Sequence, residues 1–107
     1  MKKEKQIKEN LIVEEAFASF GRDKNKADNL EFAPAMRLRS CNAYVSRIGK
    51  WLVLTSYSTD VAIIDCQTGV LYDFLRLVYG YTATSAQHIS KFGHDYSVLE
   101  RYTWREL

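Results

Sequence analysis

The densest group of chemically capable side chains lies in YTATSAQHISKF, from Tyr81 to Phe92, which holds Thr82, Thr84, Ser85, His88 and Lys91. If this stretch is helical, Ser85 and His88 stand three apart and share a face, so a hydroxyl–imidazole contact is open to them. Nucleophilic catalysis asks for more: a group to orient the imidazole, and donors for the developing oxyanion. No motif marks either. His88 and His94 are six apart, and steps of about 100° put them on different helix faces, which is wrong for a metal pair. Asp60, Asp65 and Asp73 are the candidate acids, but Asp60 and Asp65 fall at turns or strand ends, where Asp commonly bonds local backbone. The glycines are scattered and form no phosphate-cradling loop. Cys41 and Cys66 make no CxxC pair and no cluster with zinc spacing. The residues therefore assign no catalytic group, no metal and no cofactor, and the chain is expected not to be an enzyme.

The same stretch reads well as the start of a helix. A threonine hydroxyl at 82 or 84 can accept from the unpaired N–H groups of the first turn. With Thr84 as the cap, Gln87 falls in the capping-box position. Ile89, Phe92 and Tyr96 then line one apolar face. Gly93 sits awkwardly inside this helix or marks its end. Capping leaves His88 unexplained.

The elements that must position this stretch come before it. Residues 3–20 lack Gly and Pro and carry Val13, Phe17 and Phe20 at helical spacing, as they do Ile7 and Leu11. Gly21 is placed to end that helix, and residues 22–29 read as a polar loop. Lys2 to Lys8 read as a solvated helix face. Pro34 marks a turn. Strands are expected over 42–48, 51–57 and 61–65, with turns at Gly49-Lys50, Ser58-Thr59-Asp60 and Gly69. VAIID (61–65) is nearly all apolar, as suits a central strand. VLYDFLRLVY (70–79) reads as a fourth extended run. The tail SVLERYTWREL is open between a last strand and a helical turn. The fold class is α+β: an N-terminal helix, an antiparallel meander of about four strands, then a helix packed on one sheet face. Residues 1–35 are taken as a helix-and-loop extension and 36–107 as the sheet-and-helix domain.

Composition bounds the partners. At 107 residues, with 47% hydrophobic content, the chain suits one domain. A net charge of +2 demands no nucleic acid and argues against an acidic DNA mimic. The charged N-terminus lacks a signal-length apolar run, and no segment approaches a membrane span. A cytoplasmic location with reduced thiols is expected, both cysteines serving as small core or strand residues. Arg37, Arg39, Arg47 and Lys50, with Arg76, Lys91 and nearby aromatics, are the candidate nucleic-acid contacts, because single-strand binders join cations to stacking platforms. Seven tyrosines suit a protein-binding face. LYDFLRLVYGYT holds more apolar surface than one sheet face needs, which fits a partner site, a homodimer seam, or core on both faces. Tyr72, Arg76, Tyr79, Tyr81 and His88 are the candidate partner contacts.

SYSTDVAIID (56–65), TGVLYDF and YTATSAQHISKF together resemble a small domain of phages and mobile elements of Gram-positive bacteria. Its pattern runs roughly SY-x-T-x-VA, then T-x-T-x-x-H-x-x-x-F. Ser56, Tyr57, Thr59, Val61 and Ala62, then Thr82, Thr84, His88 and Phe92, carry the match, which spans about 40–96. The long run ending in Tyr79-Gly80-Tyr81 departs from it. The resemblance implies a context rather than an activity: a small protein that binds a host protein or ribonucleoprotein complex and inhibits a defence nuclease in the anti-CRISPR manner. The alternative is a nucleic-acid-binding accessory protein.

Overall fold

A computed structural model describes residues 2–26 and 32–107. The chain runs α1 (Lys2–Asn25), β1 (Phe32–Arg37), β2 (Ala43–Ile48), β3 (Trp51–Ser56), β4 (Thr59–Asp65), β5 (Val70–Asp73), α2 (Leu75–Val78), α3 (Ala83–Asp95) and β6 (Glu100–Thr103). The strands form one sheet in sequence order. Every neighbouring pair is antiparallel except β5 and β6, which run parallel because α2 and α3 carry the chain back between them. This is an α+β fold whose meander, β2 to β5, is flanked by one further strand on each side.

The sheet is covered on both faces. Leu54, Ala62, Ile64 and Leu71 pack with Ile89 and Phe92 of α3. Val53, Ile63, Trp51 and Phe74 pack with Val13 and Phe20 of α1. β4 therefore buries side chains in both directions, which explains its unbroken apolar run. Its register slips by one residue against β3 between Leu54 and Thr55. The extra residue, Val61, joins Ala62 on the α3 side, and its carbonyl accepts from Phe74 N–H at 3.0 Å.

Several local expectations change. The run 70–79 is not one strand: β5 ends at Asp73, and α2 follows. Asp73 Oδ1 accepts from Leu75 N–H at 3.1 Å and turns the chain. An apolar run alone does not separate strand from helix, and this one holds both. Pro34 lies inside β1 rather than at a turn. β1 is an edge strand, and its pairing slips between Ala33 and Met36, where a residue without an N–H costs no ladder bond. Gly21 does not end α1, which continues to Asn25. The loop expected over 22–29 lies outside the described residues from 27 onward. Ile7 and Leu11 are exposed, and the buried stripe of α1 instead runs from Asn10 through Val13 to Phe20. α1 rests on the chain's own sheet. The tail forms strand β6. Among the described residues, no helix is long and apolar enough to cross a membrane.

Candidate functional site

The hydroxyl-rich stretch begins α3, and the two-residue hairpin between β3 and β4 comes up beside it. Thr82, not Thr84, is the helix cap: its Oγ1 accepts from Ser85 N–H at 3.2 Å. The hairpin loop is Tyr57-Ser58, and Tyr57 takes a positive φ of 58°. Two-residue hairpin loops need such a conformation and usually give the place to Gly. Here a tyrosine bears the strain, and its ring lies 5.8 Å from the His88 ring.

Beneath that ring the strand and the helix are joined by side chains. Ser56 Oγ lies 2.8 Å from His88 Nδ1 and 2.9 Å from Ser85 Oγ. Ser56 and Ser85 are each 3% exposed and His88 is 4% exposed. Buried polar atoms need partners, and this group supplies its own. Ser85 and His88 thus share a helix face, but Ser56 of β3 bridges them. Burial, and then the charge of Lys91, lowers the His88 pKa from its ordinary value, so the imidazole is neutral at pH 7. A nearby cation and a depressed pKa make it a weak proton acceptor. No carboxylate among the described residues bonds its other nitrogen. The arrangement ties β3 to α3 through three buried side chains.

Above the buried group lies a cleft of about 220 Å³. The hairpin contributes Ser56 to Thr59, α3 and its cap contribute Thr82, Thr84 and Ser85, Val61 adds an apolar patch, and Tyr79 stands to one side. Among the described residues no charged side chain lines it. Tyr57, Tyr79 and Tyr81 are 56%, 63% and 58% exposed. Arg76 lies 4.5 Å over the Tyr81 ring, and both border a neighbouring cleft with Arg105.

The structure sets Arg76 against Tyr81 and places Tyr79 on the hairpin cleft, while His88 is buried beneath Tyr57. Tyr72 is not brought to either place. Tyr72 packs on the α1 side of the sheet, stacked on Tyr102 at 6.1 Å and edge-on to Trp51 at 6.3 Å. The candidate nucleic-acid contacts are each engaged locally. Arg37 Nε donates to Cys41 O at 2.9 Å, and Arg47 Nε donates to Gly49 O at 2.8 Å. Arg39 forks onto Asp95, whose carboxyl it holds down to a pKa of about 2. Lys50 pairs with Asp65 at 3.4 Å and lies over the Trp51 ring. Both cysteines are free thiols.

Ser56 and Tyr57 are expected at the end of a strand and within the resemblance, not as site residues; Tyr57 lies in the hairpin loop, and the Ser56–His88 contact spans 32 positions that no local pattern reveals. Residues carrying that resemblance nevertheless converge: Tyr57, Thr59, Val61, Thr82 and Thr84 line the cleft, and Ser56 and His88 bond beneath it. No family model matches the chain, and neither curated proteins nor solved structures give a match.

Proposed function

We propose that this is a binding domain, not an enzyme, which engages a host protein or a protein surface of a ribonucleoprotein complex at the end of the sheet where Tyr57, Tyr79 and Tyr81 emerge. The observation that carries the reading is the exposure of three tyrosines, Tyr57 and Tyr79 on the hairpin cleft and Tyr81 on a second cleft with Arg76 held on its ring. Tyr and Arg are the residues on which interface energy concentrates, and aromatic rings lose little freedom on binding. Inhibition of a host defence nuclease complex is the form of this activity that the resemblance favours. The nucleic-acid alternative draws less support, because Arg37, Arg39, Arg47 and Lys50 spend their charge or hydrogen bonds within the fold.

The test is capture from a Gram-positive bacterial lysate, with and without nuclease treatment. The reading expects the same protein to be retained after nuclease and at moderate salt, and to be lost with Tyr79→Ala or Tyr81→Ala. Capture that disappears on nuclease treatment, or falls steeply with salt and with Arg37→Ala and Arg39→Ala, would transfer the function to nucleic acid.

A further inference from the structure

The cleft has a hydroxyl chemistry of its own, walled by two of the exposed tyrosines, Tyr57 and Tyr79. Three of its hydroxyls are already used: Ser56 and Ser85 bond each other, Ser56 bonds His88, and Thr82 caps α3. Ser58, Thr59 and Thr84 make no side-chain hydrogen bond among the described residues and line the same space. A hydroxyl donates and accepts, and its proton turns to suit the ligand. Such a lining matches a ligand whose own groups also do both. It offers nothing to an ion, which would lose hydration without meeting a counter-charge. It also lacks the amide and guanidinium groups that commonly read the fixed donor and acceptor pattern of a nucleobase. The space corresponds to about seven waters of liquid volume, enough for one six-membered ring with its substituents. Tyr57, steadied against His88, and Tyr79 add flat apolar surface at the walls.

We propose that this cleft binds a neutral saccharide ring. Ser58, Thr59 and Thr84 supply its hydrogen bonds, and Tyr57 and Tyr79 cover its C–H faces. The site does not depend on a macromolecular partner, so it stands or falls apart from the capture experiment.

The test is an NMR titration of the ¹⁵N-labelled full chain with D-glucose, D-galactose and N-acetyl-D-glucosamine, and with sorbitol and uracil for comparison. At least one sugar ring should give saturable shifts at the amides of Ser58, Thr59 and Thr84, with a dissociation constant on the order of millimolar, as suits so small a ligand. Thr84→Val and Ser58→Ala should each weaken it roughly tenfold, the worth of one neutral hydrogen bond. Both residues are exposed and hold nothing in the fold, and the spectrum itself reports whether a variant is folded. Sorbitol, with hydroxyls but no ring, should not saturate. Linear, non-saturating shifts with all three sugars would overturn the proposal. So would saturation by uracil alone, which would assign the cleft to a planar base.

Discussion

Asn10 closes its carboxamide onto the backbone of Arg105. Its Nδ2 donates to the Arg105 carbonyl at 2.6 Å, and its Oδ1 accepts from the Arg105 N–H at 2.9 Å. A helix side chain thus does what a neighbouring strand would do just beyond the end of β6. Gln6 and Glu9 extend the device one step back: Gln6 Nε2 donates to Thr103 O at 3.1 Å, and Glu9 accepts from Thr103 N–H at 2.8 Å.

Asn10 is 6% exposed but Arg105 is exposed, so removing Asn10 hands both backbone groups of Arg105 to water. Asn10→Ala should cost about 1–3 kcal/mol, two hydrogen bonds at about 0.5–1.5 kcal/mol net each. Asn10→Asp should also destabilise, because a carboxylate cannot donate to the Arg105 carbonyl. Urea unfolding followed by tryptophan fluorescence measures both. Wild-type midpoints for the two variants would show that the pairing contributes nothing.

Ser56 serves two buried partners, and Ser85 serves one. Ser56→Ala should therefore destabilise more than Ser85→Ala, by roughly 1 kcal/mol, one net hydrogen bond. Chemical denaturation of the two single variants checks the order, and equal losses would mean the bridge to His88 carries no net energy.

His88 gives the fold a pH dependence whose sign is fixed by its environment. Burial, then Lys91, lowers its folded-state pKa below the ordinary 6.5. Between those two values the unfolded chain binds a proton that the folded chain refuses. The stability from neutral His88 is therefore full above pH 6.5 and is lost as pH falls through the folded pKa. Asp95 titrates far lower, its folded pKa being about 2, so its contribution fades only in strong acid. Melting temperature should fall between pH 7.5 and pH 5.5, and His88→Gln should flatten that fall. A slope that His88→Gln leaves unchanged would place the titration elsewhere.

Tyr57 sets backbone and side chain against each other. Its positive φ costs about 1 kcal/mol or more for a residue with a β-carbon, and Gly adopts it freely. Tyr57→Gly should be more stable than Tyr57→Ala by about that amount in thermal or urea unfolding. Both should lose the ring that covers His88, and with it partner capture. If Gly and Ala prove equally stable, the hairpin has relaxed and the strain is not real.

The meander was legible because its signals are local. Alternating and β-branched runs bounded by Gly49 and Gly69 give strands at the right places, and VAIID announces a strand covered on both sides. The helix at 83–95 was legible from its threonines and from Ile89 and Phe92, though the cap is Thr82. Asp73 was harder: it interrupts an apolar run, and only its bond to Leu75 N–H reveals a turn rather than an outward-facing strand residue. Asn10 left a usable signal, since it is polar yet shares the helix face of Val13 and Phe20. Ser56 left none beyond its motif, because its meaning lies in two residues from a helix reached only after the sheet is built.

The borders of the sheet set the terms on which anything else can join it. At β6 the side chains of α1 occupy the main-chain groups at Thr103 and Arg105. At β1 a proline and a slipped register spoil the row of donors that an added strand would need. A partner gains little by extending this sheet with its own backbone. On the proposed binding role, recognition would fall to side chains at the sheet's end, and specificity would reside in a few replaceable residues that can change without disturbing the architecture that presents them.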